Sequence, residues 1–230
     1  MSDQLFMPAR RIFQGFQSLL FPEICLMCEE KEGKICNACL KIWNQGPFRI
    51  RFQDTYAISA IPYGPQVSSV VVKAKEDRNS CARELIAQAI HRALKELLHY
   101  QSIDNFLLVP IPSSPQAIRR RGESFMHPIL NHVLKLARLN GAEWYWQELL
   151  RHRKKVRDQA GLSSQQRSAN LEGVFQLRSS KSVDLPIILV DDVVTTGSTL
   201  RNAILPLNER KMTVLGAVTA CASPHQLLIR

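Results

Sequence analysis

The sequence lacks any apolar run long enough to cross a membrane. None of its stretches approaches the roughly 20 consecutive apolar residues that a spanning helix requires. Near the N-terminus, Gln14, Gly15 and Gln17 interrupt the apolar residues and no small-residue cleavage site follows, so we expect no secretory signal. The expected location is therefore the cytoplasm, where thiols stay reduced.

Two common nucleotide-binding loops and a common catalytic triad are also missing. The chain has neither a Walker loop nor a Gly-x-Gly-x-x-Gly loop. No Ser/His/Asp triad can be argued either, because the histidines are scattered and each is expected to lie at the surface or in the core. They are His91, His99, His127, His132, His152 and His225.

Acidic residues are in short supply. The 230 residues include 30 Lys+Arg but 20 Asp+Glu, which gives a formal charge of +10. This excess favours a polyanionic partner such as nucleic acid, or small phosphorylated ligands. The alternative is a basic surface without a binding role. Apolar content of 45% and charged content of 22% are those of a globular protein that can build a core.

From about residue 55 the sequence alternates between short apolar strands and amphipathic helices. The stretch 106–111 is apolar without polar alternation, as in a strand buried on both faces of a parallel sheet. The pattern predicts an α/β fold around a mostly parallel sheet. Predicted strands are 56–61, 106–111, 144–150, 174–177, 187–190 and 213–219, and predicted helices are 5–21, 66–75, 82–98, 127–139, 198–208 and one starting at Ser163.

Four of the six cysteines are close together in the sequence. They form two Cys-x-x-Cys pairs separated by seven residues, which places four thiolates within reach of one tetrahedral ion. The spacing predicts a closed structural zinc site, and buried or redox-active thiols are the alternative. The predicted zinc ligands are Cys25, Cys28, Cys36 and Cys39, whereas Cys81 and Cys221 are expected to be small buried residues.

Residues 187–200 read IILVDDVVTTGSTL and place two neighbouring carboxylates at the end of an apolar strand. In an open α/β sheet, ligands bind at the carboxyl ends of the strands. The hydroxyl-rich loop that follows Asp191 and Asp192 runs into a helix start, where backbone NH groups suit a phosphate. A ligand with a phosphate at one end and sugar hydroxyls nearby would explain both halves. The alternative is an acid pair that serves as turn and cap residues.

Residues 188–199 resemble the phosphoribosyl-pyrophosphate (PRPP) signature of type I phosphoribosyltransferases. The resemblance implies a sheet of the type I phosphoribosyltransferase kind and Mg²⁺ on the pyrophosphate of PRPP. It also implies that Asp191 and Asp192 are the catalytic residues and contact the ribose hydroxyls. The 5′-phosphate would then be bound by Thr195, Thr196, Gly197, Ser198 and Thr199.

Four further motifs resemble the ComF (ComFC) competence-protein family, and together they span nearly the whole chain. They are Leu19-Leu20-Phe21-Pro22, Val109-Pro110-Ile111-Pro112, Arg119-Arg120-Arg121-Gly122 and the pattern Gln159-x-x-Leu162-x₄-Arg167-x-x-Asn170-x₄-Phe175. The resemblance implies a zinc module on a phosphoribosyltransferase domain, with a role in natural transformation and single-stranded DNA handling. Departures from the family pattern are Glu123-Ser124-Phe125, Val156 and Glu76.

Two basic clusters complete the list of candidate binding residues. Phosphate contacts from such clusters give sequence-independent binding of nucleic acid, and the aromatic side chains of Trp144, Tyr145 and Trp146 could stack on bases. For both tryptophans a core position is the favoured interpretation. The clusters would bind either DNA or the pyrophosphate of PRPP, and they comprise Arg119, Arg120, Arg121, Arg153, Lys154, Lys155 and Arg157.

Together these features predict a helix plus Cys₄ module at residues 1–50 and a phosphoribosyltransferase-like domain at residues 51–230. The favoured function is that of a competence protein which binds PRPP and single-stranded DNA during DNA uptake, with other uptake or recombination proteins as possible partners. The alternative is a nucleobase phosphoribosyltransferase. Whether the protein is a pentosyltransferase enzyme is left open, as is the acceptor.

Overall fold

The computed structural model describes residues 24–52, 55–153 and 173–223. Predictions on residues 5–21 and 163, and on Lys154, Lys155 and Arg157, lie outside this part. Its strands are β1 (Phe48–Phe52), β2 (Thr55–Pro62), β3 (Leu107–Pro110), β4 (Leu150–His152), β5 (Phe175–Leu177), β6 (Ile187–Val194) and β7 (Val214–Ala222). Its helices are α1 (Asn37–Trp43), α2 (Pro65–Lys75), α3 (Ser80–Gln101), α4 (Pro115–Arg121), α5 (Met126–Leu139) and α6 (Ser198–Asn208).

The main sheet has the order β1-β2-β7-β6-β3. Strand β1 pairs with β2 in antiparallel fashion, and the β2–β7, β7–β6 and β6–β3 pairs are parallel. Strands β4 and β5 form a separate antiparallel ribbon. The structure thus confirms the predicted α/β fold with a mostly parallel sheet. The division after residue 50 stays a prediction, and β1 crosses that position.

Both faces of the sheet are covered, which explains the continuous apolar strands. One apolar cluster joins Ile188 and Val190 of β6 to helices α2, α3 and α5. The other joins Ile187 and Leu189 to α6 and to the β4–β5 ribbon. Alternate residues of β6 thus bury their side chains in different clusters. Helix α3 is capped by Asn79, whose side chain accepts a hydrogen bond from the amide of Ala82.

The prediction of a strand at residues 144–150 was wrong. In this stretch, strand pairing is limited to an isolated bridge between Leu108 and Trp146, and strand β4 begins only at Leu150. Trp144 is buried against the rings of His91 and Phe106, as the core interpretation predicted, whereas Trp146 is only partly buried. The apolar residues here follow packing against α3 and β3 rather than strand pairing.

Three short elements were not predicted. Helix α1, strand β1 and helix α4 have five to seven residues each, which is too short for a periodic apolar pattern to stand out. Helix α4 is recognisable by its ends, because Ser114 caps it, Pro115 begins it and Gly122 follows it with a φ of 75°. In the described residues, no helix is both long and apolar enough to cross a membrane.

Candidate functional site

The acid pair lies inside strand β6 rather than after it. The predicted strand ended at Val190, but β6 runs on to Val194 because its pairing with β7 continues. Its other neighbour, β3, ends at Pro110, which pairs with Val190. From Asp191 onward, therefore, β6 is paired with β7 but no longer with β3. The acid pair faces the space that begins where β3 stops.

The two carboxyl groups have different surroundings. Asp192 is only 6% exposed, and its Oδ2 lies 2.5 Å from the Nζ of Lys75, the last residue of α2. The Oδ1 of Asp191 accepts a hydrogen bond of 2.9 Å from the amide of Asp192. Burial raises the pKa of Asp191 well above its usual range, and the neighbouring Asp192 adds to the shift. Lys75 therefore contacts Asp192 directly, and its charge offsets only part of the upward shift in the pKa of Asp191.

A cavity of about 250 Å³ opens at the acid pair. Its lining combines the two carboxylates with two cations, Lys75 and Arg121, and with Thr199 from the loop after β6. Ser113 and Ser114, which follow β3, line it as well. Lys75, Ser113 and Ser114 were not among the site residues predicted from the sequence. Ser113 and Ser114 come shortly after the end of β3, at the sheet edge where ligands bind in such folds. This position is the sequence feature that could have predicted them as site residues.

The predicted phosphate loop leads from β6 into α6. Gly197 has a φ of 72° and is the N-cap residue of α6, so the chain turns there in the left-handed region. The hydroxyls of Thr196 and Ser198 lie 2.9 Å apart, and the Ser198 amide donates to Thr196 Oγ1 at 3.3 Å. The hydroxyl residues are exposed at a helix start, where NH groups and hydroxyls are available to an anion. They are Thr195, Thr196, Ser198 and Thr199.

Helix α4 separates the three consecutive arginines that the sequence grouped together. Arg121 is 8% exposed, lines the acid-pair cavity, and has a buried Nε with no hydrogen-bond partner among the described residues. Arg120 is exposed and donates to Glu76 at 2.8 Å. Arg119 lines a different cavity. The separation arises because successive side chains of a helix point about 100° apart.

A second cavity of about 330 Å³ lies on the other side of α4 and shares Pro112 and Ser113 with the first. Its charged lining comprises Arg119, Arg151, Arg178, His152 and Glu148. Glu148 pairs with Arg178 at 2.7 Å and with His127 at 2.7 Å.

An adjoining cavity of about 320 Å³ continues this basic surface along the β4–β5 ribbon. Arg151, Arg153, Arg178 and Arg210 line it. Arg178 and Arg210 were not among the predicted binding residues, because both are distant in the sequence from Arg151 and Arg153 and only the fold brings the four together.

The four predicted zinc ligands form one cluster. The sulfurs of Cys25, Cys28, Cys36 and Cys39 all lie within 4.8 Å of one another, and those of Cys28 and Cys36 are 3.6 Å apart. A tetrahedral zinc with Zn–S bonds of about 2.3 Å would hold its sulfurs about 3.8 Å apart. The donor set and its spacing therefore fit one zinc ion, and the cluster could bind it.

Backbone amides surround the thiol cluster. The amides of Cys36 and Cys39 point to sulfur, at 3.4 Å from Cys25 Sγ and 3.5 Å from Cys36 Sγ. Burial acts to raise the pKa of Cys25, but hydrogen bonds from the amides of Cys28, Cys36 and Met27 outweigh it and lower the pKa to about 6. Thiolate is the form that binds a metal, so the environment of Cys25 suits metal binding, whereas burial and the neighbouring thiols raise the pKa of Cys39.

Comparison with known proteins supports one class for residues 117–228, which make up just under half of the chain. Residues 117–228 match the family model of the phosphoribosyl transferase domain. The match includes the acid pair, the loop after it and Arg119 to Arg121, and it supports the type I phosphoribosyltransferase superfamily. Membership of the ComF family stays a prediction. No curated relative matches the chain.

Two enzymes of known structure are similar to part of the chain. Adenine phosphoribosyltransferase from Saccharomyces cerevisiae is 15% identical, with a TM-score of 0.35 over 64% of this chain and 71% of that one. Hypoxanthine phosphoribosyltransferase from Staphylococcus aureus is 16% identical, with a TM-score of 0.34 over 62% of this chain and 66% of that one.

Proposed function

We propose that the protein is a transferase that binds PRPP with Mg²⁺ in the acid-pair cavity. One observation carries the proposal: a single cavity combines Asp191 and Asp192, Thr199 of the hydroxyl loop, and the cations Lys75 and Arg121. PRPP has a sugar with free hydroxyls between a phosphate and a pyrophosphate. The cavity and its loop provide a chemically matching group for each of these parts.

Each part of PRPP has a proposed set of partners. The 5′-phosphate binds the amides and hydroxyls of residues 195–199, and the ribose hydroxyls donate to the carboxylates. Lys75 and Arg121, together with the hydroxyls of Ser113 and Ser114, face the pyrophosphate. Mg²⁺ would accompany the pyrophosphate and neutralise part of its charge. Lys75 contacts Asp192 at 2.5 Å. When the ribose hydroxyls donate to this carboxylate, the ammonium group of Lys75 shifts from it toward the pyrophosphate.

The proposed chemistry is displacement of pyrophosphate at the anomeric carbon. The bond from that carbon to the pyrophosphate oxygen breaks, the pyrophosphate keeps the electron pair, and an acceptor atom forms the new bond. The transition state resembles an oxocarbenium ion, so positioning and charge stabilisation do the catalytic work. Carboxylates below the ring stabilise its positive charge, and the cations stabilise the leaving group.

Calorimetric titration with PRPP and Mg²⁺ tests this proposal. Wild-type protein should bind, and the double variant Asp191→Asn with Asp192→Asn should lose PRPP affinity by at least about 100-fold, as expected for the loss of two charge-assisted contacts. Asp104→Asn, at an exposed carboxylate away from the cavity, is the matched control. Equal PRPP affinity in wild type and the double variant would refute the assignment of the site.

We further propose that the protein acts in the cytoplasm as a competence protein that handles single-stranded DNA. The supporting observation is the basic surface of the second and third cavities, which extends from Arg119 to Arg210 and adjoins the acid-pair cavity at Pro112 and Ser113. Neighbouring cations of this kind can follow a phosphate backbone. The formal charge of +10 agrees with such a partner.

Salt-titrated binding of labelled single-stranded DNA tests the DNA proposal. Arg178→Ala with Arg210→Ala should weaken binding and reduce the salt dependence by about 0.7 per lost phosphate contact. Arg138→Ala, an exposed arginine at the end of α5, should change neither. Folded protein that binds no DNA at low salt would eliminate this proposal. Pyrophosphate release with one member of a panel of nucleobases would instead favour the nucleobase phosphoribosyltransferase.

A further inference from the structure

Helix α2 contacts both the Cys₄ cluster and the acid pair. It is 11 residues long; Ser69 in its middle and Lys73 in its last turn contact the cysteine loop, and its last residue, Lys75, contacts Asp192. The cluster and the acid pair are distant in sequence, at residues 25–39 and 191–192. One rigid element therefore connects the predicted metal site to the proposed PRPP site.

The contact with the cysteine loop centres on one carbonyl group. Leu26 lies between two of the predicted ligands, Cys25 and Cys28, and its carbonyl accepts hydrogen bonds from Ser69 Oγ at 2.9 Å and Lys73 Nζ at 3.1 Å. Ser69 and Lys73 are four residues apart, so they lie on one face of the helix. On the same loop, Glu29 pairs with Lys73 at 3.2 Å.

A shared apolar cluster adds to this junction. The buried residues of α2 belong to the same core cluster as Cys25, Cys36, Cys39 and Trp43, whereas Cys28 is exposed. The α2 residues are Val67, Val70, Val71 and Ala74. The carbonyl of Trp43, the last residue of α1, also accepts a hydrogen bond of 2.7 Å from Arg92 of α3. The cysteine loop is thus packed on α2 and linked to α3 by a hydrogen bond.

The C-terminal end of α2 positions both cations of the acid-pair cavity, Lys75 and Arg121. Lys75 contacts Asp192 directly. The next residue, Glu76, accepts a hydrogen bond from Arg120 and lies 3.9 Å from Arg121. Glu76 stands where the ComF pattern usually has an aromatic residue. The C-terminal end of the helix therefore positions Lys75 and, through α4, also Arg121.

We propose that α2 couples metal binding in the Cys₄ cluster to PRPP binding at the acid pair, with Ser69 and Lys73 as positioning residues. Zinc fixes Cys25 and Cys28, and thereby the Leu26 carbonyl between them. The carbonyl fixes the helix, and the helix fixes Lys75. Ser69 and Lys75 are separated by about 9 Å of helix, at about 1.5 Å per residue, so a shift at one end reaches the other. This inference rests on the proposed PRPP site.

Thermodynamic linkage makes the coupling measurable from either side. If zinc raises the affinity for PRPP by some factor, PRPP must raise the affinity for zinc by the same factor. Couplings of this kind usually fall between about 5-fold and 150-fold. We expect a factor of roughly ten, because the path contains two hydrogen bonds and one ion pair.

The first arm of the test is zinc retention by the full-length, zinc-loaded chain against a competing chelator, with and without PRPP and Mg²⁺. PRPP should raise the apparent zinc affinity roughly tenfold. PRPP also binds metal ions itself, so the variant Asp191→Asn with Asp192→Asn provides the control, in which PRPP should give no protection. Equal zinc retention by wild type with and without PRPP would overturn the coupling.

The second arm cuts the link and leaves both sites intact. In the double variant Ser69→Ala with Lys73→Met, zinc and PRPP should still bind, but PRPP should no longer raise zinc retention. Gln66→Ala, at an exposed position in the first turn of α2, should keep the wild-type factor. An unchanged factor in the double variant would overturn the path through α2.

Calorimetry with PRPP on the same zinc-loaded proteins separates the two proposals. If wild-type protein does not bind PRPP, the proposed function fails and the coupling fails with it. If PRPP binds but does not change zinc retention, the coupling alone fails.

Discussion

At the scale of single residues, the acid-pair cavity contains an arginine whose burial is poorly compensated. Arg121 is 8% exposed, its nearest carboxylate oxygen belongs to Glu76 at 3.9 Å, and its Nε has no partner among the described residues. A buried charge without close partners destabilises a fold by several kcal/mol in order of magnitude. An arginine held in this way is preorganised to bind an anion such as pyrophosphate.

Replacing Arg121 should therefore lower the affinity for PRPP without lowering the stability of the fold. Arg121→Met should weaken PRPP binding by roughly tenfold or more, which corresponds to about 1.4 kcal/mol. The melting temperature should stay constant or rise, since a methionine of similar length removes the buried charge. Arg138→Met is the control, because Arg138 is exposed at the end of α5. A large loss of stability with unchanged PRPP affinity would contradict the assigned role.

Asp191 gives a second prediction at this scale, through its raised pKa. When the pKa of a carboxyl is higher in the folded state than in the unfolded state, the folded state binds more protons between the two values. Stability from this group is then present below the unfolded pKa and is lost as the pH rises through the folded pKa. Asp191→Asn removes the penalty, so its melting temperature should exceed that of wild type at neutral pH.

The size of this effect should be roughly 2–4 °C at pH 7, the change that about 1 kcal/mol produces in a chain of this length. The difference should disappear near pH 3.5, below the ordinary pKa of about 3.9, where the wild-type carboxyl is neutral as well. Calorimetric melts of both proteins over this pH range measure it. A variant less stable than wild type at pH 7 would contradict the raised pKa.

At the scale of elements, the strand–loop–helix unit of β6 and α6 forms the phosphate side of the site. The pairing of β6 with β7 extends to Val194 and Ala222, so the loop starts from a fixed strand end. At its other end, Leu200 is buried in the first turn of α6. Between these anchors the chain must turn within a few residues, and Gly197 makes this possible with its φ of 72°.

Gly197→Ala should therefore perturb the loop. An alanine in the left-handed region costs about 1 kcal/mol, so the melting temperature should fall by roughly 2–4 °C. Affinity for inorganic phosphate and for PRPP should fall as well, because the amides of the loop no longer point to one place. Gly46→Ala is the control, since a Cβ at Gly46 meets nothing within 4 Å and its φ is not positive. Equal phosphate affinity in both variants would argue against the loop as the phosphate site.

At the scale of the whole molecule, the cysteine cluster and the sheet share one core. A single apolar cluster includes Cys25 and Trp43 as well as Ile86 of α3 and Ile188 of β6. Packing across such a cluster makes unfolding cooperative. The predicted zinc module thus packs directly against the larger domain.

Removal of zinc should consequently destabilise the whole described fold in one transition. Binding of a structural zinc contributes directly to folding free energy, so a chelator should lower the melting temperature of the entire chain. Calorimetric and circular-dichroism melts with and without chelator, over the same temperature range, would measure the number of transitions and the change in melting temperature. Cys28→Ser should have the same effect as the chelator, and Cys81→Ser, outside the cluster, should bind zinc normally. Two transitions, with the upper one insensitive to chelator, would contradict the shared core.

The sequence by itself determined the features that depend on neighbouring residues. The spacing of Cys25, Cys28, Cys36 and Cys39 was sufficient to predict their cluster, because each pair lies within four consecutive residues, one in a tight turn and one at the start of α1. The acid pair and the loop after it are likewise consecutive in the chain. The longer helices and strands followed from apolar periodicity, whereas the short α1, β1 and α4 did not, and at residues 144–150 the packing of Trp144 imitates a strand pattern.

Only the tertiary structure decided which distant residues complete the site. Three consecutive arginines look equivalent in the sequence, but the rotation of α4 buries Arg121 and leaves Arg119 and Arg120 elsewhere. Lys75 and Asp192 are more than 100 residues apart, and their contact depends on how α2 packs beside β6. The physical reason is that a local pattern fixes the direction of a side chain within its element. The packing of elements determines what that side chain meets.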